Sequence, residues 1–333
     1  MNYHLIYTPF VGVGLHGGMR GQKWLAHRIE IFKSYTLKSL LNQTSRDFLH
    51  WMSFRPQERN NPLIQGLRFY LESINYKFIF TFDGLMYWDD KFTKYNLKAI
   101  LRNFLMMAWD CYIYKELKNP LTLFRMSWEN KNKTLLRRLS FSLSELSNSI
   151  GEEFEWVYLT RIDSDDMFHK DAVELIQKQE PKERKALTFD QGYILNIQTG
   201  QLAEWKPPTN SPFHTIIFPS ETFFNPQRHL EYYGSFKSHE DIPKVFNCEM
   251  LDMNKYCVSF HGKHISTAWS YPLPKKLYHL AKYGTMEPFK GYMYTVSGRN
   301  ISTHWQSRAR KVKNPMIGKD LSDKSDILRD FGI

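Results

Sequence analysis

The stretch Glu155-Trp-Val-Tyr-Leu-Thr-Arg-Ile-Asp163-Ser-Asp165-Asp166 decides how this chain is interpreted. Its first half combines β-branched and aromatic residues, which is typical of a buried strand. Its second half places three carboxylates within four residues. Crowded carboxylates repel one another, so a site that keeps them ionised generally needs a counter-charge such as a divalent metal. The pattern predicts a Mg²⁺ or Mn²⁺ site at the carboxyl end of a strand, where open α/β sheets bind their ligands.

An acidic turn that caps the following helix is the competing interpretation of this segment. Asp is favoured in turns and at helix N-termini, and a helix is predicted to begin near His169. Such a cap would explain one aspartate and leave two without a role. Asp163 and Asp165 can converge on one ion once the chain leaves extended geometry, whereas Asp166 could be a ligand or the cap.

The bulk composition is typical of a globular chain. Of its 333 residues, 42% are hydrophobic, with nine Trp and 24 Phe, which is enough for a packed core. No stretch approaches the roughly 20 apolar residues of a membrane span, and the N-terminus lacks the pattern of a secretory signal. Cys111, Cys248 and Cys257 are widely spaced, which favours free thiols in a reducing compartment. The expected location is therefore cytoplasmic.

The formal net charge of +11 indicates anionic partners. Nucleic acid, nucleotide phosphates and an anionic membrane are all compatible with it. The densest basic patch, Arg308-Ala-Arg-Lys-Val-Lys313, is either a solvated surface or a contact with a membrane or polyanion. No basic stripe is interleaved with aromatic residues, and an acidic triad without metal would repel phosphate, so nucleic acid is not expected as a partner.

The order of the predicted elements indicates an α/β fold. Strands are predicted at 4–10, 47–54, 76–82 and 155–160, and helices at 21–41, 92–118, 133–150 and 171–179. This alternation predicts a mostly parallel sheet covered by helices. The segments 187–196 and 199–205 predict a hairpin, and the C-terminal half is expected to supply loops and short strands that close over the sheet edge. The glycines at 12–18 formally match Gly-x-Gly-x-x-Gly, but no acidic residue follows at the required place, so a flexible loop near a ligand is favoured.

Three segments resemble GT-A type glycosyltransferases, and more narrowly a rhamnosyltransferase-like family. Residues 24–48 resemble the family's first helix and the start of its second strand. Thr160-Arg161-Ile-Asp163-Ser-Asp165-Asp166 resembles its Arg-Leu-Asp-x-Asp-Asp form of the DxD motif, and Ser259-Phe-His261-Gly262 its His-Gly segment. The resemblance covers roughly residues 3 to 270.

The resemblance implies a GT-A-like (Rossmann-like) fold and a division of the chain. A catalytic domain would span 1–270, with a nucleotide-sugar-binding half at 1–166 and a loop-rich acceptor-side half at 167–270. A helical, basic extension at 271–333 would pack on it. A nucleotide-sugar donor would be bound by Thr8, Arg28, Asp83, Arg161 and Asp163. Mn²⁺ or Mg²⁺ would be held by Asp163, Asp165 and His261, with His239 and His264 as alternatives to His261.

Two of these residues have structural alternatives. Arg161 either contacts phosphate or forms an ion pair with its own Asp neighbours. His261 is either a ligand or a satisfied core residue.

An inverting transferase also needs a base that takes the proton of the acceptor hydroxyl. Ser238-His-Glu240-Asp241 resembles the acidic pair of such enzymes, and Asp241 is the favoured base, with Glu240 beside it. The alternative is an acidic N-cap before Ile242.

These expectations define a leading function and two competitors. The leading function is a metal-dependent glycosyltransferase, with inversion, that acts on a glycan or lipid-linked acceptor. A lipid-linked acceptor would place it peripherally at the inner face of an anionic membrane. A nucleotidyl- or phosphotransferase could use the same acidic site, although nothing fits a Walker P-loop. The third class is a non-enzymatic nucleic-acid-binding protein.

Overall fold

A computed structural model of the chain describes residues 2–10, 22–83, 104, 119–122, 124, 135–150, 154–197, 200–206, 213–234, 239–261, 293–296, 298–302 and 317–333. Most of the predicted helix at 92–118, the glycine-rich segment 12–18, Cys111, His264 and the basic patch at 308–313 lie outside these residues. Cys248 and Cys257 are free thiols.

Strands make up most of the framework. In chain order they are β1 (Asn2–Pro9), β2 (Leu49–Ser53), β3 (Phe78–Thr81), β4 (Trp156–Arg161), β5 (Met167–Phe168), β6 (Lys185–Phe189), β7 (Gly192–Asn196), β8 (Gln201–Trp205), β9 (His214–Pro219), β10 (Asn247–Leu251), β11 (Tyr256–Phe260), β12 (Met293–Val296), β13 (Gly298–Ser302) and β14 (Ile317–Asp320). The four strands predicted in the N-terminal half correspond to β1, β2, β3 and β4.

The helices of the described residues are α1 (Gln22–Ile31), α2 (Leu37–Leu41), α3 (Pro62–Ser73), α4 (Leu135–Ser149), α5 (Ala172–Gln177), α6 (Ser220–Phe224), α7 (Pro226–Tyr233) and α8 (Ser325–Asp330). A π-helical segment, Phe32–Thr36, joins α1 to α2 without a break, so the predicted helix at 21–41 is confirmed. Two 3₁₀ turns lie at Pro56–Glu58 and His239–Lys244. In the part of the chain that the structure describes, no helix has the length and apolar character needed to cross a bilayer.

Seven strands form the central sheet, in the order β10-β6-β9-β4-β1-β2-β3. β1 pairs in parallel with β2 and β4, β2 with β3, and β6 with β10. Among the described strands of this sheet, only β9 runs against its neighbours, β4 and β6. The chain is therefore α/β with a large, mixed and mostly parallel sheet flanked by helices, which confirms the predicted fold class at this level.

Apolar side chains alternate between the two faces of the sheet, as a strand covered on both sides requires. On β4, Val157 and Leu159 pack in the same core as Leu139, Leu143 and Leu146 of α4. Tyr158 of β4 instead packs with α5 and with Trp205 and Tyr256 of a second sheet. A third core joins α1 and α3 to β2 and β3.

The second sheet has the strand order β14-β8-β7-β11-β5. Its β7–β8 pair is the predicted hairpin. The prediction of one strand over 187–196 is wrong, because the chain leaves the central sheet after Phe189 and enters the second sheet at Gly192. The expectation that the C-terminal half closes over the sheet edge is also wrong for β6, β9 and β10, which extend the central sheet itself.

The last described residues pack against the second sheet. β14 pairs antiparallel with β8, and the buried Phe331 shares a core with Met167 and Cys257. Lys170 donates its backbone N–H to the Asp330 carbonyl at 2.9 Å. The expected helical extension at 271–333 thus includes the strands β12, β13 and β14 beside α8.

Two glycines provide a matched test of this packing. A Cβ on Gly192 would lie 2.5 Å from the Tyr256 carbonyl oxygen and 2.6 Å from its ring, whereas a Cβ on Gly66 of α3 would meet nothing within 4 Å. We expect Gly192→Ala to lower the free energy of unfolding by about 1–3 kcal/mol through overpacking. Gly66→Ala should raise it by about 0.5–1 kcal/mol, because alanine favours the helix. Urea unfolding of both variants checks this, and equal effects would contradict the close β7–β11 contact.

Candidate functional site

The acidic segment follows the central strand β4 at a reversal of strand order. From β1 the chain moves to β2 and β3 on one side, and later returns to place β4 on the other side of β1. Open α/β sheets bind ligands in the crevice that such a reversal leaves beyond the carboxyl ends of the strands. The Ile162 N–H donates to the Tyr7 carbonyl at 3.1 Å, which extends the β1–β4 pairing by one residue. The segment 163–166 therefore begins at the edge of this crevice.

Asp165 is held by two side chains from distant parts of the sequence. One carboxylate oxygen, Oδ2, forms an ion pair with Nη1 of Arg28 on α1. The same oxygen lies 2.9 Å from Nε2 of His261, the residue that follows β11. The side chains of Arg28 and Asp165 are only 3% and 9% exposed, and His261 is buried. Arg28, Asp165 and His261, each predicted as a site residue, thus meet in one buried cluster.

Asp163 and Arg161 form a second, more open pair. Nη2 of Arg161 donates to Oδ1 of Asp163 at 2.8 Å. The Asp163 side chain is 42% exposed and that of Arg161 is 12% exposed. Arg161 also lies near Tyr233 of α7, where it opposes the rise that burial causes in the pKa of the Tyr233 hydroxyl. The pair between Arg161 and its own Asp neighbour is therefore present.

Asp166 ties the segment to the second sheet. Its Oδ1 accepts the backbone N–H of Ser259 on β11 at 3.0 Å. Burial, reinforced by the charges of Asp165 and Asp163, raises the pKa of Asp166 well above its usual range. Because Ser259 lies two residues before His261, this bond fixes the strand that delivers the imidazole to Asp165.

The capping interpretation of the acidic segment is wrong. Helix α5 has Asp171 as its N-cap, and none of the three aspartates at 163–166 occupies that position. Asp171 itself accepts from Nζ of Lys255 at 2.7 Å and contacts His169. Of the three carboxylates, Asp165 belongs to the buried cluster, Asp163 pairs with Arg161, and Asp166 accepts from the Ser259 backbone N–H.

Neither a family model nor a curated protein matches this chain. The GT-A resemblance stays a prediction beyond the coarser α/β fold.

The donor set predicted for a divalent metal does not fit the arrangement of these side chains. Nε2 of His261 faces a carboxylate, which only accepts hydrogen bonds, so this nitrogen carries the proton and offers no lone pair to an ion. Burial lowers the pKa of His261. Within the described ranges, no group of three or more His, Cys, Asp or Glu side chains is arranged to hold a metal. The binding of Mn²⁺ or Mg²⁺ stays a prediction.

Of the other predicted site residues, Thr8 and Asp83 lie at the carboxyl ends of two strands of the central sheet, and the rest have side chains outside the described ones. Thr8 is fully buried in β1, and its Oγ1 lies 2.9 Å from Nε2 of His50. Asp83 follows β3, two strands from β1, which corresponds to about 10 Å at the usual strand spacing. The backbone of Glu240 and Asp241 lies in the 3₁₀ turn His239–Lys244, but their side chains, and that of His239, are outside the described ones.

The structure adds two residues near the site that sequence reasoning missed. The His27 ring lies 6.1 Å from the His261 ring in an edge-to-face arrangement. His214 opens β9 opposite Arg161 in the sheet register. His27 could have been identified from the sequence, because it directly precedes the predicted site residue Arg28. The pairing of His214 with Arg161 depends on the insertion of β9 beside β4, which the sequence pattern does not reveal.

Beneath the site, the sheet encloses polar side chains that connect neighbouring strands. Nε2 of His4 lies 2.7 Å from the Thr160 hydroxyl, which lies 2.6 Å from the Thr215 hydroxyl. His50 contacts Thr8 and, through Nδ1, the Tyr76 hydroxyl at 3.0 Å. Burial lowers the pKa of His4 and of His50 to about 3. Both imidazoles are therefore neutral across the physiological range.

Proposed function

We propose that this protein is a glycosyltransferase that moves a sugar from a nucleotide-sugar donor to a glycan or lipid-linked acceptor. The observation that carries the proposal is the convergence of Arg28, Asp165 and His261 at the carboxyl end of β4. These residues come from the three separate segments that resemble GT-A enzymes. Their meeting point is the crevice where open α/β sheets bind nucleotides. The net charge of +11 supports an anionic donor and, for a lipid-linked acceptor, work at the cytoplasmic face of an anionic membrane.

The residues suggest how the reaction would proceed. The bond between the anomeric carbon and the diphosphate oxygen breaks while the acceptor hydroxyl oxygen bonds to that carbon from the opposite side. Negative charge develops on the leaving nucleoside diphosphate, and fixed cations stabilise it. Arg161, at the end of β4, would take this role, and Asp163 would hold it until the donor binds. Asp241, with Glu240 as the alternative, would take the proton of the acceptor hydroxyl.

A turnover assay tests the proposal. The protein is incubated with UDP-, GDP- and dTDP-sugars, with and without Mn²⁺, and release of nucleoside diphosphate is measured. We expect slow donor hydrolysis with at least one sugar nucleotide. Arg161→Gln should reduce it by about 10²-fold or more, because it removes a charge that stabilises the transition state. Arg329→Gln is the matched control, because the Arg329 side chain is 75% exposed and pairs with its helix neighbour Asp326.

Three results would contradict the proposal. Failure of every sugar nucleotide to bind or react would exclude a transferase of this class. Release of pyrophosphate would indicate a nucleotidyltransferase. Tight, steeply salt-dependent binding to DNA in the absence of metal would indicate a nucleic-acid-binding protein.

A further inference from the structure

We infer that Arg28 and Arg161 supply the counter-charge that the acidic segment was expected to take from a divalent metal, so that nucleotide binding at this site is independent of metal. The nature of the ligand rests on the proposed function. The inference itself concerns the charges and contacts of the chain's own residues.

Each carboxylate of the segment has a partner within the protein. Asp165 lies between Arg28 and His261. Asp163 accepts from Arg161, and Asp166 accepts from the Ser259 backbone N–H. The repulsion among three carboxylates, which led to the prediction of a metal, is therefore opposed by two guanidinium cations and two further N–H groups.

Burial of Arg28 and Asp165 makes it difficult for a metal ion to replace Arg28 as the partner of Asp165. The Arg28 and Asp165 side chains are almost completely enclosed. If Asp165 turned to a metal, it would release Arg28 and leave a buried guanidinium without its counter-charge, which is strongly destabilising. Mg²⁺ also keeps several of its own waters when bound, and an enclosed carboxylate is a poor partner for a hydrated ion.

The ion pair between Arg161 and Asp163 can exchange its partners more easily. Asp163 is the most exposed of the three carboxylates, and ion pairs that reach solvent contribute little to stability. A diphosphate can therefore replace Asp163 as an acceptor for Arg161 at small cost. The guanidinium presents a planar set of donors that matches phosphate oxygens, whereas the buried Arg28–Asp165 pair stays intact behind it.

Calorimetric titration tests this directly. Nucleoside diphosphates and the corresponding sugar nucleotides are titrated into the full chain in EDTA and in millimolar Mn²⁺. We expect dissociation constants that agree within about three-fold in the two buffers. Arg161→Gln should weaken binding by about ten-fold or more in both. Asp163→Asn should tighten binding in EDTA, because it removes the acceptor that the diphosphate displaces from Arg161.

A metal titration without nucleotide keeps the inference testable on its own. Mn²⁺ is followed by electron paramagnetic resonance with the unmodified chain and with Asp163→Asn. If Mn²⁺ shows no saturable binding that depends on Asp163, the result supports Arg28 and Arg161 as the counter-charge of the acidic segment. This conclusion holds even if no nucleotide binds and the proposed function fails. Stoichiometric Mn²⁺ binding that Asp163→Asn removes, or nucleotide binding that appears only with metal, would overturn it.

Discussion

Arg28→Met should lower the free energy of unfolding by about 3–5 kcal/mol, because it leaves the Asp165 carboxylate buried without its cation. The two side chains are among the most enclosed charged groups of the described residues. Methionine fills a similar volume, so the effect reports the charge more than a cavity. Denaturant unfolding followed by circular dichroism measures the change.

A double-mutant cycle distinguishes the loss of the Arg28–Asp165 ion pair from general damage to the fold. Adding Asp165→Asn to Arg28→Met removes the unpaired charge and should restore a substantial part of the lost stability. Arg329→Met serves as the matched control, because this arginine forms an exposed pair and its loss should change stability by less than about 0.5 kcal/mol. Equal losses for Arg28→Met and Arg329→Met, or no recovery in the double variant, would mean that the Arg28–Asp165 pair is not formed as described.

Three buried histidines should lower the free energy of unfolding by about 4 kcal/mol when the pH falls from 7.5 to 5.5. Burial lowers the pKa of His4 and His50 to about 3 and that of His229 to about 4. In the unfolded chain these groups take up protons below about pH 6.5, whereas in the folded protein they stay neutral until pH 3 to 4. Stability is therefore complete above pH 6.5 and declines as the pH falls. At pH 5.5 each histidine contributes a loss of about 1.4 kcal/mol.

Two groups near the site act in opposite directions over this range. The lowered pKa of His261 adds to the loss, whereas the raised pKa of Asp166 opposes it. Urea unfolding at several pH values measures how steeply the free energy of unfolding changes with pH. His50→Gln should reduce this slope by about a third. Histidine NMR spectra provide an independent readout, in which three imidazoles fail to titrate above pH 5. A free energy of unfolding that is constant from pH 7.5 to 5.5 would contradict the buried, neutral histidines.

The N-terminal half of the fold was predictable because its elements follow the chain. β1, the helix from α1 to α2, and then β2, α3 and β3 alternate, and each carries a local hydrophobic pattern. The acidic segment could likewise be placed at the end of a strand, because Trp156–Arg161 has the composition of a buried strand. The resemblance to GT-A enzymes implies that Arg28 binds the donor and that Asp165 and His261 bind a metal, but it does not predict that the three side chains contact one another.

The remainder depends on pairing that no local pattern encodes. β9 joins the central sheet between β4 and β6, and its short apolar run after a proline-rich segment looks like any surface strand. The break between β6 and β7 falls at Asp190-Gln191-Gly192, which is a local turn signal. This signal does not show that the flanking strands enter different sheets. The counter-charge on Asp165 was assigned to a metal because the tertiary contact with Arg28 is invisible in the sequence.

The contact between Asp165 and His261 also sets a time interval during protein synthesis. The two residues are 96 positions apart, so a ribosome that adds about 5–20 residues per second delivers His261 about 5–20 s after Asp165. During this interval the nascent chain holds the acidic segment without the strand that encloses it, since Ser259 is also still to be made. Chaperone binding and pauses in translation between these positions should therefore affect the yield of folded protein more than pauses elsewhere in the second half of the chain.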